Sequence, residues 1–130
     1  MTSPSRSAQR VRTILLVEDD PQLLHLLCEI VEASGYSVLP TKTVRGANDA
    51  IAEYGKTVDL LIADYCLPNG SGLCIVEKAQ LTNPAIKALL LSGYSIENLT
   101  EQTHSPTQIA FLQKPFRIEE LLAAVNKLMH

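Results

Sequence analysis

The stretch DLLIA at residues 59–63 is almost wholly apolar and runs directly into a carboxylate, Asp64. A second run of this kind, AIKALLL, covers residues 85–91 and runs into Ser92. Strands without polar alternation are buried on both faces, as happens when helices cover both sides of a parallel sheet. These two runs therefore predict an α/β protein built on a parallel sheet.

The same pattern repeats along the chain. Three further strands are predicted from short apolar runs, TILLV at 13–17, YSVLP at 36–40 and IAFL at 109–112. Helical spacing of apolar residues predicts five helices, at 21–34, 44–54, 72–81, near 96–103 and at 118–129. Right-handed crossovers between parallel strands then give a doubly wound sheet of five strands covered by five helices.

The length and charge of the chain limit the number of domains and the kinds of partner it can have. A chain of 130 residues has the length of one domain. Residues 1–12 contain three arginines and no acid and are expected to form a flexible tail, which leaves 13–130 as the folded domain. Eleven basic and fourteen acidic residues give a net charge of −3, which argues against direct binding to nucleic acid.

Two further features predict a cytoplasmic protein. No apolar run approaches the roughly 18 residues that a membrane span needs, so no membrane association is expected. The three cysteines, Cys28, Cys66 and Cys74, suggest neither a disulfide framework nor the spacing of a metal site. Reduced thiols in the cytoplasm fit this pattern best.

Polar side chains follow four of the five predicted strands. They are Glu18, Asp19 and Asp20 after the first strand, Asp64 after the third, Ser92 after the fourth and Lys114 after the fifth. In open α/β sheets the functional site lies beyond the carboxyl ends of the strands. Clustered carboxylates suit Mg²⁺, while an ammonium and a hydroxyl can hold phosphoryl oxygens. A central carboxylate could then act as a nucleophile and form an aspartyl phosphate.

Four motifs stand in a fixed order along the chain. They are ILLVEDDP (14–21), DLLIADYCLPNGSGL (59–73), ALLLSGYS (88–95) and FLQKPF (111–116). In order and spacing the chain resembles response-regulator receiver domains, the family of the chemotaxis response regulator, over essentially residues 12–129. The resemblance implies a flavodoxin-like fold with strand order 2-1-3-4-5.

The resemblance also implies a phosphoacceptor and a metal site. Asp64 would be the phosphoacceptor, and Mg²⁺, with Mn²⁺ as a substitute, would be the cofactor. Asp19 and Asp64 would bind the metal directly, Glu18 through a water, and Cys66 through its backbone carbonyl. Asp20 could cap the first helix or bind the metal. The alignment of the family's acidic pair on Glu18 and Asp19 favours the cap.

Three more positions take roles from the resemblance. Ser92 matches the switch hydroxyl, and Lys114 matches the lysine that pairs with the phosphoryl group. Pro115 would follow a cis peptide bond, which X-Pro bonds adopt at low cost. Phe111 occupies the position of the aromatic residue that rotates together with Ser92, and a plain core side chain is the alternative.

The function implied by the resemblance is signalling. The chain would receive a phosphoryl group from a sensor histidine kinase or a histidine phosphotransfer protein. It would be a signalling domain rather than an enzyme, although it would catalyse its own phosphorylation and dephosphorylation. Phosphorylation would change the surface of the fourth helix, the fifth strand and the last helix, through which a homodimer could also form. With no output domain after Met129, the signal is expected to pass to a partner, a second copy or a larger protein.

Two other classes of protein could carry a similar set of residues. In an aspartate-nucleophile phosphatase of the haloacid dehalogenase type, the nucleophile lies in a D-x-D motif on the first strand. Asp64 lies on the third strand and has Cys66 at that offset, and 130 residues leave no cap domain. A receiver-like interaction module that is never phosphorylated is the second alternative. Such a module has no use for a complete set of metal and phosphate ligands.

Overall fold

Five parallel strands form the central sheet of the protein in a computed structural model that describes residues 11–93 and 109–130. The strands are β1 (Thr13–Val17), β2 (Ser37–Thr41), β3 (Leu60–Asp64), β4 (Lys87–Ser92) and β5 (Ile109–Gln113). Their order across the sheet is β2-β1-β3-β4-β5, and every neighbouring pair runs parallel. The predicted α/β class and strand order are thereby confirmed.

Four α-helices connect and cover the strands in the described part of the chain. They are α1 (Pro21–Ala33), α2 (Val44–Tyr54), α3 (Gly72–Thr82) and α4 (Ile118–Met129). Each begins at the residue predicted from the sequence. The fifth predicted helix, near residues 96–103, lies outside the described residues. Over the ranges that are described, no helix is both long enough and apolar enough to cross a membrane.

β3 and β4 reach one residue further than their sequence predictions. Asp64 is the last residue of β3 and Ser92 is the last residue of β4, whereas both were predicted to follow their strands. Backbone pairing explains the extension, because the N–H of Tyr65 donates to the carbonyl oxygen of Leu91 at 2.7 Å. The N–H of Lys114 likewise donates to the carbonyl oxygen of Ser92 at 2.7 Å. The sheet itself therefore fixes the backbone beneath both side chains.

The sheet buries both of its faces, as the apolar runs predict. All five residues of β3 are buried. Leu61 and Ala63 pack with side chains of α2 and α3 on one face, while Leu60 and Ile62 pack with side chains of α1 and α4 on the other. Close packing on both sides holds the carboxyl end of β3 in the middle of the sheet, between β1 and β4.

Side-chain caps place two helix starts beside the carboxyl edge of the sheet. The Asp20 carboxylate accepts hydrogen bonds from the N–H groups of Gln22 at 3.0 Å and Leu23 at 3.4 Å, which caps α1. The Ser71 hydroxyl accepts a hydrogen bond from the N–H of Cys74 at 3.2 Å, which caps α3. Of the two interpretations of Asp20, the structure shows the cap.

Candidate functional site

A cleft of about 330 Å³ opens at the carboxyl edge of the sheet, where β3, β4 and β5 end. It is lined by Asp64, Cys66, Leu91, Ser92, Gly93 and Lys114. Asp64 and Ser92 are each only 4% exposed, although both line the cleft. Three side chains that the sequence places at the ends of different strands, Asp64, Ser92 and Lys114, are therefore brought together.

Lys114 joins two buried carboxylates. Its Nζ lies 2.6 Å from Oδ1 of Asp64 and 3.2 Å from Oε1 of Glu18. The side chains of the two acids are 6% and 1% exposed, whereas that of Lys114 is 30% exposed. Buried charges persist only where they are paired, so the ammonium permits the two acids to lie close together.

The acids at this edge fit a divalent metal ion. Glu18, Asp19 and Asp64 each offer a carboxylate oxygen, and these oxygens lie within 4.8 Å of one another. Oδ1 of Asp64 is buried and is paired with the Lys114 ammonium at 2.6 Å. Hard carboxylate oxygens are the ligands that Mg²⁺ prefers. The donor set therefore fits Mg²⁺.

The surroundings of Asp64 make it a weak acid. Burial raises the pKa of its carboxyl, the adjacent Glu18 raises it further, and Lys114 lowers it, with a resulting pKa of about 7. Burial alone would lower the pKa of Lys114, but the two carboxylates outweigh that effect and raise it. Near neutral pH, the site thus combines a firmly charged ammonium with a carboxyl group that is poised between its two protonation states.

Glu18 is held from two sides. Its Oε2 accepts a hydrogen bond from the backbone N–H of Asp20 at 3.0 Å, while its Oε1 faces Lys114. Asp20 thus caps α1 with its side chain and orients Glu18 with its backbone. The sequence prediction missed this second role, because a backbone donor leaves no signature in the amino-acid pattern.

The remaining predicted site residues occupy different surroundings. Cys66 lines the cleft with an exposed side chain. The peptide bond between Lys114 and Pro115 is cis. Phe111 is half-buried and packs against the core between the sheet and α2 and α3, and it is not among the described residues that line the cleft.

Sequence comparison identifies the family. The profile of the response regulator receiver domain matches residues 14–126. The chain therefore belongs to the response regulator receiver domain family, the receiver domains of two-component signalling systems. This membership confirms the predicted family and decides against the phosphatase alternative.

Curated relatives share this domain at low identity. The response regulator receiver protein CpdR of Brucella abortus is 25% identical over 92% of this chain and 98% of its own length. The sensor kinase CckA of Brucella abortus is 26% identical over 90% of this chain, which spans 12% of the kinase. The swarming motility regulation protein RssB of Serratia marcescens is 33% identical over 89% of this chain, which spans 53% of RssB. The chain thus matches nearly all of one relative and only part of the other two.

Solved structures show the same fold. The receiver domain of the hybrid histidine kinase CckA is 28% identical, with a TM-score of 0.79 over 91% of this chain and 99% of that domain. The non-phosphorylated HemR receiver domain of Leptospira biflexa is 27% identical, with a TM-score of 0.79 over 91% of this chain and 94% of that domain. The predicted flavodoxin-like arrangement is thereby confirmed.

Proposed function

We propose that Asp64 accepts a phosphoryl group from a phosphohistidine on a sensor histidine kinase or a histidine phosphotransfer protein. The observation that carries this proposal is the 2.6 Å contact between Asp64 and Lys114 at the cleft. A nucleophilic carboxylate lies there beside a fixed positive charge, which is the arrangement that phosphoryl transfer needs.

The proposed reaction exchanges one bond for another. A carboxylate oxygen of Asp64 attacks the phosphorus atom, and a P–O bond forms while the P–N bond to the donor imidazole breaks. The imidazole leaves with the electron pair of that bond and takes up a proton. The Lys114 ammonium would offset the negative charge of the phosphoryl oxygens, and Ser92, which lines the cleft, would donate a hydrogen bond from its hydroxyl to one of them.

The acidic cluster supports a role for Mg²⁺, with Mn²⁺ as a substitute. Asp19, Asp64 and the backbone carbonyl of Cys66 would bind the ion directly, and Glu18 would act through a water. When bound, the ion supplies positive charge that offsets the carboxylates and the phosphoryl oxygens. The chain's own contribution is to gather its acids within 4.8 Å of one another and to keep Glu18 oriented.

Phosphorylation would act as a switch. Ser92 and Lys114 would move towards the new phosphoryl group, Phe111 would adjust with them, and the surface that includes β5 and α4 would change. That surface could bind a partner or a second copy of the chain. We further propose that the chain works in the cytoplasm as a signalling domain and that it hydrolyses its own acyl phosphate. Residues 1–10 of the predicted tail lie outside the described residues.

Incubation with acetyl phosphate tests the proposal. Intact mass spectrometry should show one added phosphoryl group in the presence of Mg²⁺ and none when the metal is chelated. Asp64→Asn should abolish the gain. Asp59→Asn is the matched control, because Asp59 accepts a hydrogen bond from the N–H of Thr13 at 2.8 Å, just before the opposite end of β3. No gain in the wild type would favour the interaction module that is never phosphorylated.

A further inference from the structure

The start of α3 lies directly against the backbone of Asp64. Gly72, the first residue of this helix, is buried, and an ideal Cβ built on it would overlap the carbonyl oxygen of Asp64. The same Cβ would lie 2.9 Å from Cδ2 of Leu90, whereas carbon atoms in contact are normally about 3.5–4.0 Å apart. Position 72 therefore has no room for even a methyl group.

Backbone conformation does not explain the glycine. Only Gly35 and Gly70 have a positive φ among the described residues, so alanine could adopt the backbone angles of Gly72 without strain. What this position requires is the absence of a side chain. The requirement arises from the close approach of two backbone segments, the start of α3 and the end of β3.

The chain between these segments folds back to make the contact. Cys66–Leu67 pairs antiparallel with Gly70–Ser71, which reverses the chain after β3. The N–H of Gly72 then donates a hydrogen bond to the carbonyl oxygen of Tyr65 at 2.9 Å. Since the N–H of Tyr65 donates a hydrogen bond to the carbonyl oxygen of Leu91, the backbone of Tyr65 is held by β4 through its N–H and by α3 through its carbonyl oxygen.

We propose that Gly72 is a positioning residue for phosphoryl transfer. Because it has no side chain, the start of α3 can pack directly against the backbone of Asp64 and so fix the position of that residue in the cleft. The proposal rests on the proposed role of Asp64 as the acceptor. A side chain at position 72 would push the end of β3 away from α3. A misplacement of about 1 Å at a reacting group can lower a rate on the order of 10²-fold. The backbone carbonyl of Cys66, a proposed metal ligand, would move as well.

Alanine substitution at two buried glycines separates positioning from packing. In Gly72→Ala the new methyl group meets the backbone of Asp64. In Gly55→Ala it meets Cγ2 of Thr82 at 2.9 Å and Cγ2 of Ile51 at 3.3 Å, beyond the amino end of β3 and away from the cleft. Both variants crowd a buried site and should lose thermal stability. Only Gly72→Ala should also lower the rate of phosphorylation by acetyl phosphate.

The double variant Gly72→Ala/Leu90→Ala shows whether the loss of rate comes from the contact with the Leu90 side chain or from the contact with the Asp64 backbone. Removing the Leu90 side chain relieves the contact at 2.9 Å but leaves the overlap with the backbone of Asp64. The rate should therefore remain low. Restoration of the wild-type rate would show that only core packing had been disturbed, and this would overturn the proposal.

Mg²⁺ affinity, measured by calorimetry, is a second readout that does not depend on phosphorylation. Gly72→Ala should weaken it about tenfold and lower the maximal phosphorylation rate about tenfold or more, with Gly55→Ala within about twofold of the wild type for both. Equal effects of the two variants would contradict the proposal. If the wild type gains no phosphoryl group, the proposed function fails, and the affinity comparison still decides whether Gly72 positions the backbone that carries the proposed metal ligands.

Two less destabilising substitutions test the proposal if Gly72→Ala does not fold. Ser71→Ala removes the cap that anchors the start of α3, and Thr43→Ala removes the corresponding cap of α2, a hydrogen bond of 2.9 Å to the N–H of Gly46. Each loses about 1 kcal/mol of stability. A lower phosphorylation rate and Mg²⁺ affinity in Ser71→Ala alone would support the proposal. Equal values in the two variants would overturn it.

Discussion

The Lys114 ammonium lies 2.6 Å from Oδ1 of Asp64, and this contact joins the proposed acceptor to the charge that would stabilise the transferred group. Lys114 also reaches Glu18 at 3.2 Å, so one cation is shared by two buried acids. The arrangement leaves excess negative charge at the cleft. A divalent metal ion bound there would offset this excess.

Replacing Lys114 with methionine should destabilise the protein and abolish phosphorylation. The substitution leaves two buried carboxylates without their cation, which should lower the free energy of unfolding by about 1–3 kcal/mol at neutral pH. Urea denaturation measures the loss. Lys78→Met, which removes an exposed lysine from α3, is the matched control and should change stability by less than about 0.5 kcal/mol. A similar loss in both variants would contradict the assigned role of the ion pair.

The Asp64 carboxyl should make stability depend on pH. Its pKa is about 7 in the folded protein and about 3.9 in an unfolded chain, so the folded state holds a proton that the unfolded state releases. Stability is therefore lost as pH rises from about 4 to about 7. Asp64→Asn removes this effect and should be more stable than the wild type at pH 8, by about 1–2 kcal/mol in the absence of Mg²⁺. The difference should vanish near pH 4, and a difference independent of pH would refute the explanation.

Mg²⁺ should raise the melting temperature of the wild type. A ligand that binds only the folded state stabilises by about 2.7 kcal/mol at a concentration of 100 times its Kd. Asp19→Asn and Asp64→Asn should lose most of this response in thermal denaturation. Asp20→Asn should keep it, because asparagine caps a helix as well as aspartate does and Asp20 lies outside the acidic cluster. Loss of the response in Asp20→Asn would instead make Asp20 a ligand.

The C-terminal end of α4 should contribute to the stability of the protein but not to the rate of phosphorylation. The Lys87 ammonium donates a hydrogen bond to the carbonyl oxygen of Leu128 at 2.6 Å, and the Arg12 guanidinium donates to that of Met129. Positive charge at a helix C-terminus is stabilising. Lys87→Met should lower the free energy of unfolding by about 0.5–1.5 kcal/mol while acetyl phosphate still modifies the protein at the wild-type rate. A slower reaction would reveal coupling between α4 and the cleft.

The sequence predicted the architecture well because the decisive signals are local. The buried runs at 59–63 and 85–91 required a sheet covered on both faces, and Asp20 with Pro21 marked the start of α1 correctly. Acids and a lysine at strand ends were likewise enough to predict a shared site. The strand order and the individual roles came from the resemblance to a known family rather than from these patterns.

The features that the sequence did not reveal depend on contacts that form only in the folded structure. The extension of β3 through Asp64 follows from pairing with Leu91, a residue 27 positions away in the chain. The orientation of Glu18 by a backbone N–H and the contact of Gly72 with the backbone of Asp64 leave no pattern in side-chain identity. Such relationships become visible only once the strands and helices are placed.

The central claim is that Asp64 itself carries the phosphoryl group, and chemical trapping tests it most directly. The chain is phosphorylated with acetyl phosphate and Mg²⁺, treated with borohydride, which reduces an aspartyl phosphate to homoserine, and digested for peptide mass spectrometry. We expect homoserine at position 64 only, and only when Mg²⁺ is present. Homoserine at another acidic position, or none at all, would contradict it.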